Sequence, residues 1–392
     1  MPGIIDAHVH PLMGGIKVLY ECNFPFTATP VQVKTTLTAC AQKSPAGAWI
    51  RGGQWGSSFF VQNKLESPKG FLDAVTTTHP IFLNDDSGHN GWVNSAALKA
   101  AGLTKASANP DGGTIVRGAD GEPNGVLMET AARIFDKVIP GWTDDQFVAA
   151  AKEATRLANT YGITSIKDAG AFHPAGMAFS RLDKAGGLTL DVAGDASVHA
   201  ALDAIAAARK ANGNSHLHHE LAHAGYIELS DIPRFAQLDA VPDFSPIIWF
   251  PSPIIASIEH AIGPSAKHYW PTRSLLDAGA VIASGSDWPA AVPDENPWMG
   301  IEALVTRKDP RGVTPGQLWP EQAIKLDEAL KIYTLNGARA LKLEKHTGSI
   351  EAGKSAQIIV LDRNLFKIPA DDIGDTKVQM TYFEGKLVYA AH

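Results

Sequence analysis

Short runs of apolar, β-branched residues alternate along this chain with stretches whose apolar positions recur at helical spacing, the pattern of an α/β protein. Gly3-Ile-Ile-Asp-Ala-His-Val-His10 reads as a buried strand that Pro11 stops. Ala280-Val-Ile-Ala-Ser284 is another continuous apolar strand, and Gly285-Ser-Asp-Trp-Pro289 is its sharp exit. Between them, apolar positions at Phe147, Ala151, Ala154, Leu157 and Ala158 predict a helix over Asp144 to Tyr161; Gly162 ends it and the strand Ile163 to Ile166 begins. Leu202 to Lys210 and Ala323 to Leu341 read as helical, Leu188 to Val192 and Leu217 to Ala222 as strands. Residues 11–140 break this rhythm. They are rich in Gly, Pro and Trp, with a helical piece at Pro30 to Ala41 and a hairpin around Asp111 to Gly121. So long a segment between two strands predicts an inserted subdomain of the kind that covers an active face.

The strand ends carry the candidate chemistry. Side chains alternate along a strand, so His8 and His10 point the same way, and two neutral imidazoles suit zinc or another divalent first-row metal. Asp287 follows the strand 280–284, at the end where barrel enzymes keep catalytic groups. His218-His-Glu-Leu-Ala-His223-Ala-Gly225 is a third strand-like run ending in histidine. Each has a plainer reading: an exposed strand end for the His-x-His pair, a helix cap for Asp287, a hydrogen-bonded core residue for His223. Together the three strand ends weigh toward one metal site made of His8, His10, His223 and Asp287.

These segments also occur in a telling order. Met1 to Pro11, Gly162-Ile-Thr-Ser-Ile-Lys-Asp168, Ala222-His-Ala224, Gly285-Ser-Asp-Trp-Pro289 and the tail from Thr334-Leu-Asn-Gly-Ala338 to Gly348-Ser-Ile-Glu-Ala-Gly-Lys354 form a series. It resembles the metal-dependent amidohydrolase superfamily, in the branch that includes N-substituted formamide deformylases. Asp86-Ser-Gly-His89-Asn-Gly-Trp92-Val-Asn94 and Gly125-Val-Leu-Met-Glu129 are similar to that branch too. The resemblance implies a TIM-like (β/α)₈ barrel with metal ligands at its C-terminal face and a small β domain built from both chain ends. It divides the chain into a hydrolase barrel over residues 1–340, with the insert at about 11–140, and a C-terminal β region over 341–392. His89 and Trp92, in a loop expected over the pocket, are candidates for substrate contact; a turn role for His89 and a core role for Trp92 are the alternatives.

Against that family the chain is short in the middle. Only 56 residues separate Lys167 from His223, where four further βα steps would need on the order of 100. Six barrel strands are credible instead of eight, so the barrel is expected to be shortened. The family's strand-four lysine and strand-five histidine have no counterpart. Asp191, in Leu190-Asp-Val-Ala-Gly-Asp195, stands where that histidine is expected and could bind metal through oxygen or be a solvated turn residue. Lys167 could be carboxylated as a bridging ligand or form an ordinary salt bridge. One metal ion, zinc first, is therefore expected rather than two. Family members also carry strands before the His-x-His segment, so the tail strands Ala356 to Leu361 and Val378 to Phe383 are expected to lack partners and to favour a homodimer or a poorly soluble protein.

Composition narrows the function classes. A formal charge of −7 and a pI near 6.0 argue against nucleic acid and anionic membranes as partners. No apolar run approaches the roughly 18 residues of a membrane span, and no basic-then-apolar leader opens the sequence, so a cytoplasmic location is expected. Cys22 and Cys40 make no disulfide framework and read as unpaired small apolar residues. The expected function is hydrolysis of a small amide, formamide or cyclic imide C–N bond, the metal activating water and polarising the carbonyl. Asp287 would take up the water's proton and return it to the departing nitrogen. The alternative is a degenerate amidohydrolase-fold protein with an incomplete metal site.

Overall fold

The structure is a computed structural model. It describes residues 1–25, 27–56, 58–85, 88–169, 173–189, 209–210, 213, 218–224, 227, 229–245, 251, 255, 259, 263, 266, 270–290, 292 and 294–391, and the backbone of 191–194. The helix expected over Leu202 to Lys210 lies almost wholly outside those residues, as do Asp86, Ser87, Leu190, Leu217 and Gly225 of the segments above. The chain divides into two compact units, Met13–Ala150 and, formed by both flanks, Met1–Leu12 with Ala151–His392.

The Met13–Ala150 unit is built on a six-stranded sheet. Cys22–Asn23, Ile50–Trp55 and Ile81–Asp85 run parallel; Gly91–Val93, Pro123–Glu129 and Gly113–Arg117 continue it antiparallel. The helix Pro30–Lys43 starts at a capping box in which Thr29 and Gln32 satisfy each other's backbone N–H groups, and it buries Val33 and Leu37. This packing brings Cys40 to Cys22, and the structure joins them as a disulfide, which corrects the expectation of two unpaired cysteines. Trp92 is fully buried here. Its indole N–H donates to Pro68 O at 2.9 Å, and Trp55, Phe59, Phe60 and Phe71 surround its ring.

The second unit holds six parallel strands among the described residues. We number them β1 (Ile4–Val9), β2 (Ile163–Asp168), β3 (Asp191–Gly194), β4 (His219–Leu221), β5 (Ala240–Phe244) and β6 (Ala283–Ser284). β1, β2 and β3 form one sheet in that order, β4, β5 and β6 another. The two are tied where β6 exits against β1: Asp287 N–H donates to His8 O at 2.8 Å and His10 N–H to Trp288 O at 2.7 Å. Only glycine permits that approach at 285, because a Cβ would overlap the backbone of His8. β1 is buried along its length, as its unbroken Ile-Ile-Asp-Ala-His-Val pattern requires of a strand covered on both faces.

The tail adds β7 (Ile358–Leu361), β8 (Val378–Phe383) and β9 (Lys386–Ala390) as an antiparallel sheet in that order. The free edge of β7 is met by the first residues of the chain: Met1 and Ile359 exchange both backbone bonds at 3.0 Å, and Gly3 N–H donates to Gln357 O at 2.9 Å. The tail strands therefore do not lack partners, contrary to the sequence expectation. Among the described residues no helix is long and apolar enough to cross a membrane.

One buried acid in this unit makes stability pH-dependent. Glu302, in the helix Pro297–Thr306, accepts from Gly374 N–H at 2.7 Å, while burial, followed by Asp371, Asp375 and Asp372, pushes its pKa up to about 7 from an ordinary 4.5. Between those values the folded chain holds a proton that the unfolded chain has released, so stability falls as pH rises from about 4.5 to about 7. Allowing for the carboxylate's partial solvation, Glu302→Gln is expected to gain about 1–2 kcal/mol at pH 8 and nothing at pH 4. Urea midpoints at the two pH values check this; equal gains at both would contradict it.

Candidate metal centre

Four residues from three strand ends converge in the second unit. His8 lies in β1 and His10 just past it; His223 follows β4 by two residues and Asp287 follows β6 by three. One ligand atom from each of His8, His223 and Asp287 lies within 4.8 Å of the others. Asp287 Oδ1 is 3.7 Å from His8 Nε2 and 3.4 Å from His10 Nε2, and its Oδ2 is 4.0 Å from His223 Nε2. The His8 ring sits 4.3 Å from that of His223 and edge-on to His10 at 5.8 Å. Of the four strand-end residues, His8, His223 and Asp287 form the close group, and His10 stands beside Asp287.

The backbone holds this cluster at a conformational cost. His223 and Asp287 adopt φ of +50° and +58°, in the left-handed region that non-glycine residues rarely enter. Asp6 fixes the neighbouring turn: its Oδ1 accepts Ser286 N–H at 3.0 Å and His8 N–H at 3.1 Å. Burial drives the Asp6 pKa up to about 6 against those hydrogen bonds. Burial alone would depress the His8 pKa, but the carboxylates of Asp243 and Asp287 outweigh it and hold the imidazole above its ordinary value. His223 is held below its ordinary value by burial and by the neighbouring His8.

Asp243 is the residue that sequence reasoning missed. It lies in β5 behind His8, with its Oδ2 2.5 Å from His8 Nδ1. That contact puts an Nδ1 proton against Asp243 and leaves Nε2 as the ring atom that faces Asp287. The only sequence signal was an aspartate inside the otherwise apolar run Ala240-Val-Pro-Asp-Phe244.

A divalent cation fits this donor set. Asp287 Oδ1 is buried and, among the described residues, has no hydrogen-bond partner, although two imidazole nitrogens stand beside it. A buried carboxylate oxygen left open beside imidazole nitrogens matches the chemistry of zinc and related ions. Replacing Asp243 by asparagine is expected to weaken metal affinity about 10–100-fold by releasing the His8 ring, as measured by competition with a chromogenic chelator. Unchanged affinity would remove Asp243 from the site.

The other sequence-selected residues are Lys167, Asp191, His89 and Trp92. Lys167, in β2, is buried in an ion pair with Glu220 of β4. Asp191 opens β3 opposite Ser165; its side chain falls outside the described residues. His89 and Trp92 belong to the Met13–Ala150 unit. His89 is exposed there, its Nδ1 3.0 Å from Glu129 Oε2, and Trp92 fills the core described above.

Comparison with known proteins places this geometry in context. A family model described as "Amidohydrolase family" matches residues 1–196 and 187–389. N-substituted formamide deformylase of Arthrobacter pascens is 26% identical over 485 positions, covering 99% of this chain and 88% of that protein. Putative amidohydrolase YtcJ of Bacillus subtilis (strain 168) is 24% identical over 99% of this chain and 88% of its own length. Among solved structures, an uncharacterized metal-dependent hydrolase from Pyrococcus horikoshii OT3 superposes with a TM-score of 0.69 at 16% identity, over 94% of this chain and 87% of that one. That likeness concerns the fold alone.

Proposed function

The chain belongs to the amidohydrolase family, and on that premise we propose that it hydrolyses a non-peptide amide or formamide C–N bond with a single metal ion, zinc first among the choices. The observation that carries this reading is the convergence of His8, His223 and Asp287 within 4.8 Å around a buried carboxylate oxygen that, among the described residues, has no hydrogen-bond partner. His8, His10, His223 and Asp287 would hold the ion. When bound, it supplies Lewis acidity for a carbonyl and makes water nucleophilic near neutral pH.

The chain's own groups supply the rest. Asp243 keeps His8 in the tautomer that presents Nε2, and Asp6 keeps the β6 exit against β1 so that the Asp287 carboxylate faces both imidazoles. As water adds to the carbonyl carbon, an Asp287 oxygen takes up its proton; as the C–N bond breaks, the same oxygen returns it to the nitrogen. The deformylase relative supports a formamide as the first substrate to try. The Lys167–Glu220 ion pair supports one ion rather than two, because it keeps this lysine's charge engaged.

A second reading is favoured by the chain's length. The deformylase alignment spans 485 positions against 392 residues here, at least 93 more than the chain contains, which supports a shortened barrel and a catalytically impaired protein. One experiment separates the readings. Zinc-loaded protein incubated with N-benzylformamide and N-benzylacetamide should release benzylamine, with the release abolished by a chelator and restored by zinc. A protein that binds zinc yet releases no amine from either compound supports the impaired reading.

A further inference from the structure

We infer that the Met13–Ala150 unit carries a binding site of its own for a small zwitterion with an apolar body, such as an apolar amino acid. The inference rests on this unit alone and is independent of the hydrolase reading. The unit contains a cavity of about 580 Å³, within the roughly 300–1,000 Å³ typical of small-molecule sites. Phe82, Phe135 and Ile139 give it an apolar wall, the two phenyl rings 5.1 Å apart.

Arg51 gives it a prepared anion receptor. The Arg51 guanidinium carbon lies 3.6 Å from the Trp142 ring centroid, and Trp142 is itself stacked 5.5 Å from Tyr20. Stacking fixes the plane of the guanidinium and leaves its N–H groups available at the edge. Among the described residues those N–H groups make no hydrogen bond and no ion pair within 4.0 Å, although the side chain is half-buried. Asn84 and the exposed Arg133 line the same space. A planar guanidinium with unfilled donors beside an apolar wall suits a carboxylate attached to a hydrocarbon group.

The acids of the cavity set the second half of the ligand. Glu21, Glu129 and Asp136 also line it, Glu129 beside His89 at the exposed mouth. Three carboxylates against two guanidiniums would repel a simple anion about as much as attract it. A ligand carrying both signs satisfies both sets, its ammonium toward the carboxylates and its carboxylate toward Arg51.

Calorimetric titration of the chelator-treated full chain tests this, since chelation removes any carboxylate binding at a metal. L-phenylalanine is compared with 3-phenylpropionate, which lacks the ammonium, and 2-phenylethylamine, which lacks the carboxylate. L-phenylalanine is expected to bind about 10-fold or more tightly than either, and Arg51→Met to weaken it by a similar factor. Arg133→Met, at an exposed position that leaves the core intact, should weaken it about 3-fold, so a folding defect in the first variant does not decide the matter. Absence of heat with L-phenylalanine, equal binding of 3-phenylpropionate, or full affinity in a folded Arg51→Met protein would each overturn the inference.

Discussion

Replacing Asp287 by asparagine is expected to lower kcat/KM for the best formamide substrate about 10²–10⁴-fold. Asparagine keeps the size of the side chain and one oxygen, but it cannot take up a proton from water or return one to the leaving nitrogen. The Asp287 N–H bond to His8 O is a backbone contact and survives the change, so the fold around the site should be retained. The expected signature is therefore a folded protein that still binds metal, with reduced affinity, and has lost most of its turnover. A variant with wild-type kcat/KM would assign the proton transfers to another group.

The second large effect is structural. Gly285→Ala should destabilise the chain by about 3 kcal/mol or more, because a Cβ at that position overlaps the N, Cα and O atoms of His8 and backbone cannot move aside as a flexible side chain can. The displacement would break the tie between β6 and β1 on which the relative placement of Asp287, His8 and His10 depends. Chemical denaturation of the purified variant should show this directly, together with lost metal binding. A midpoint equal to the wild-type value would mean that the strands are further apart than the structure has them.

What the sequence disclosed and what it concealed have separate physical origins. His8 and His10 were legible because strand alternation is local: two residues apart is one face, whatever the strand packs against. Asp287 and His223 were legible because small, polar residues at the end of an apolar run mark the exit of a buried strand. Asp243 was concealed because its role depends on β5 lying beside β6, whose exit in turn meets β1, a placement fixed 235 residues away along the chain. The disulfide depends in the same way on tertiary packing: the capped helix Pro30–Lys43 must fold back on the Cys22–Asn23 strand before the two sulfurs meet.

The tail shows the same limit. Ile358–Leu361 and Val378–Phe383 are plain as strands, yet nothing local shows that Met1 to Gly3 pair with the edge of the first of them. The alternation of short strands and helices sufficed for the α/β class, and the ordered motifs sufficed for the family. Trp92 illustrates the converse: a residue in a segment with functional resemblance can be held there by packing, since its ring fills a core and its one polar atom is satisfied by Pro68.

If His8, His10, His223 and Asp287 hold one metal ion, the metal content per chain must report it. Plasma mass spectrometry of the purified wild-type protein and of His8→Ala is the measurement. About one equivalent of zinc or a related divalent ion is expected in the wild type, and its loss in the variant. No bound metal in either protein, even after reconstitution with zinc, would contradict it.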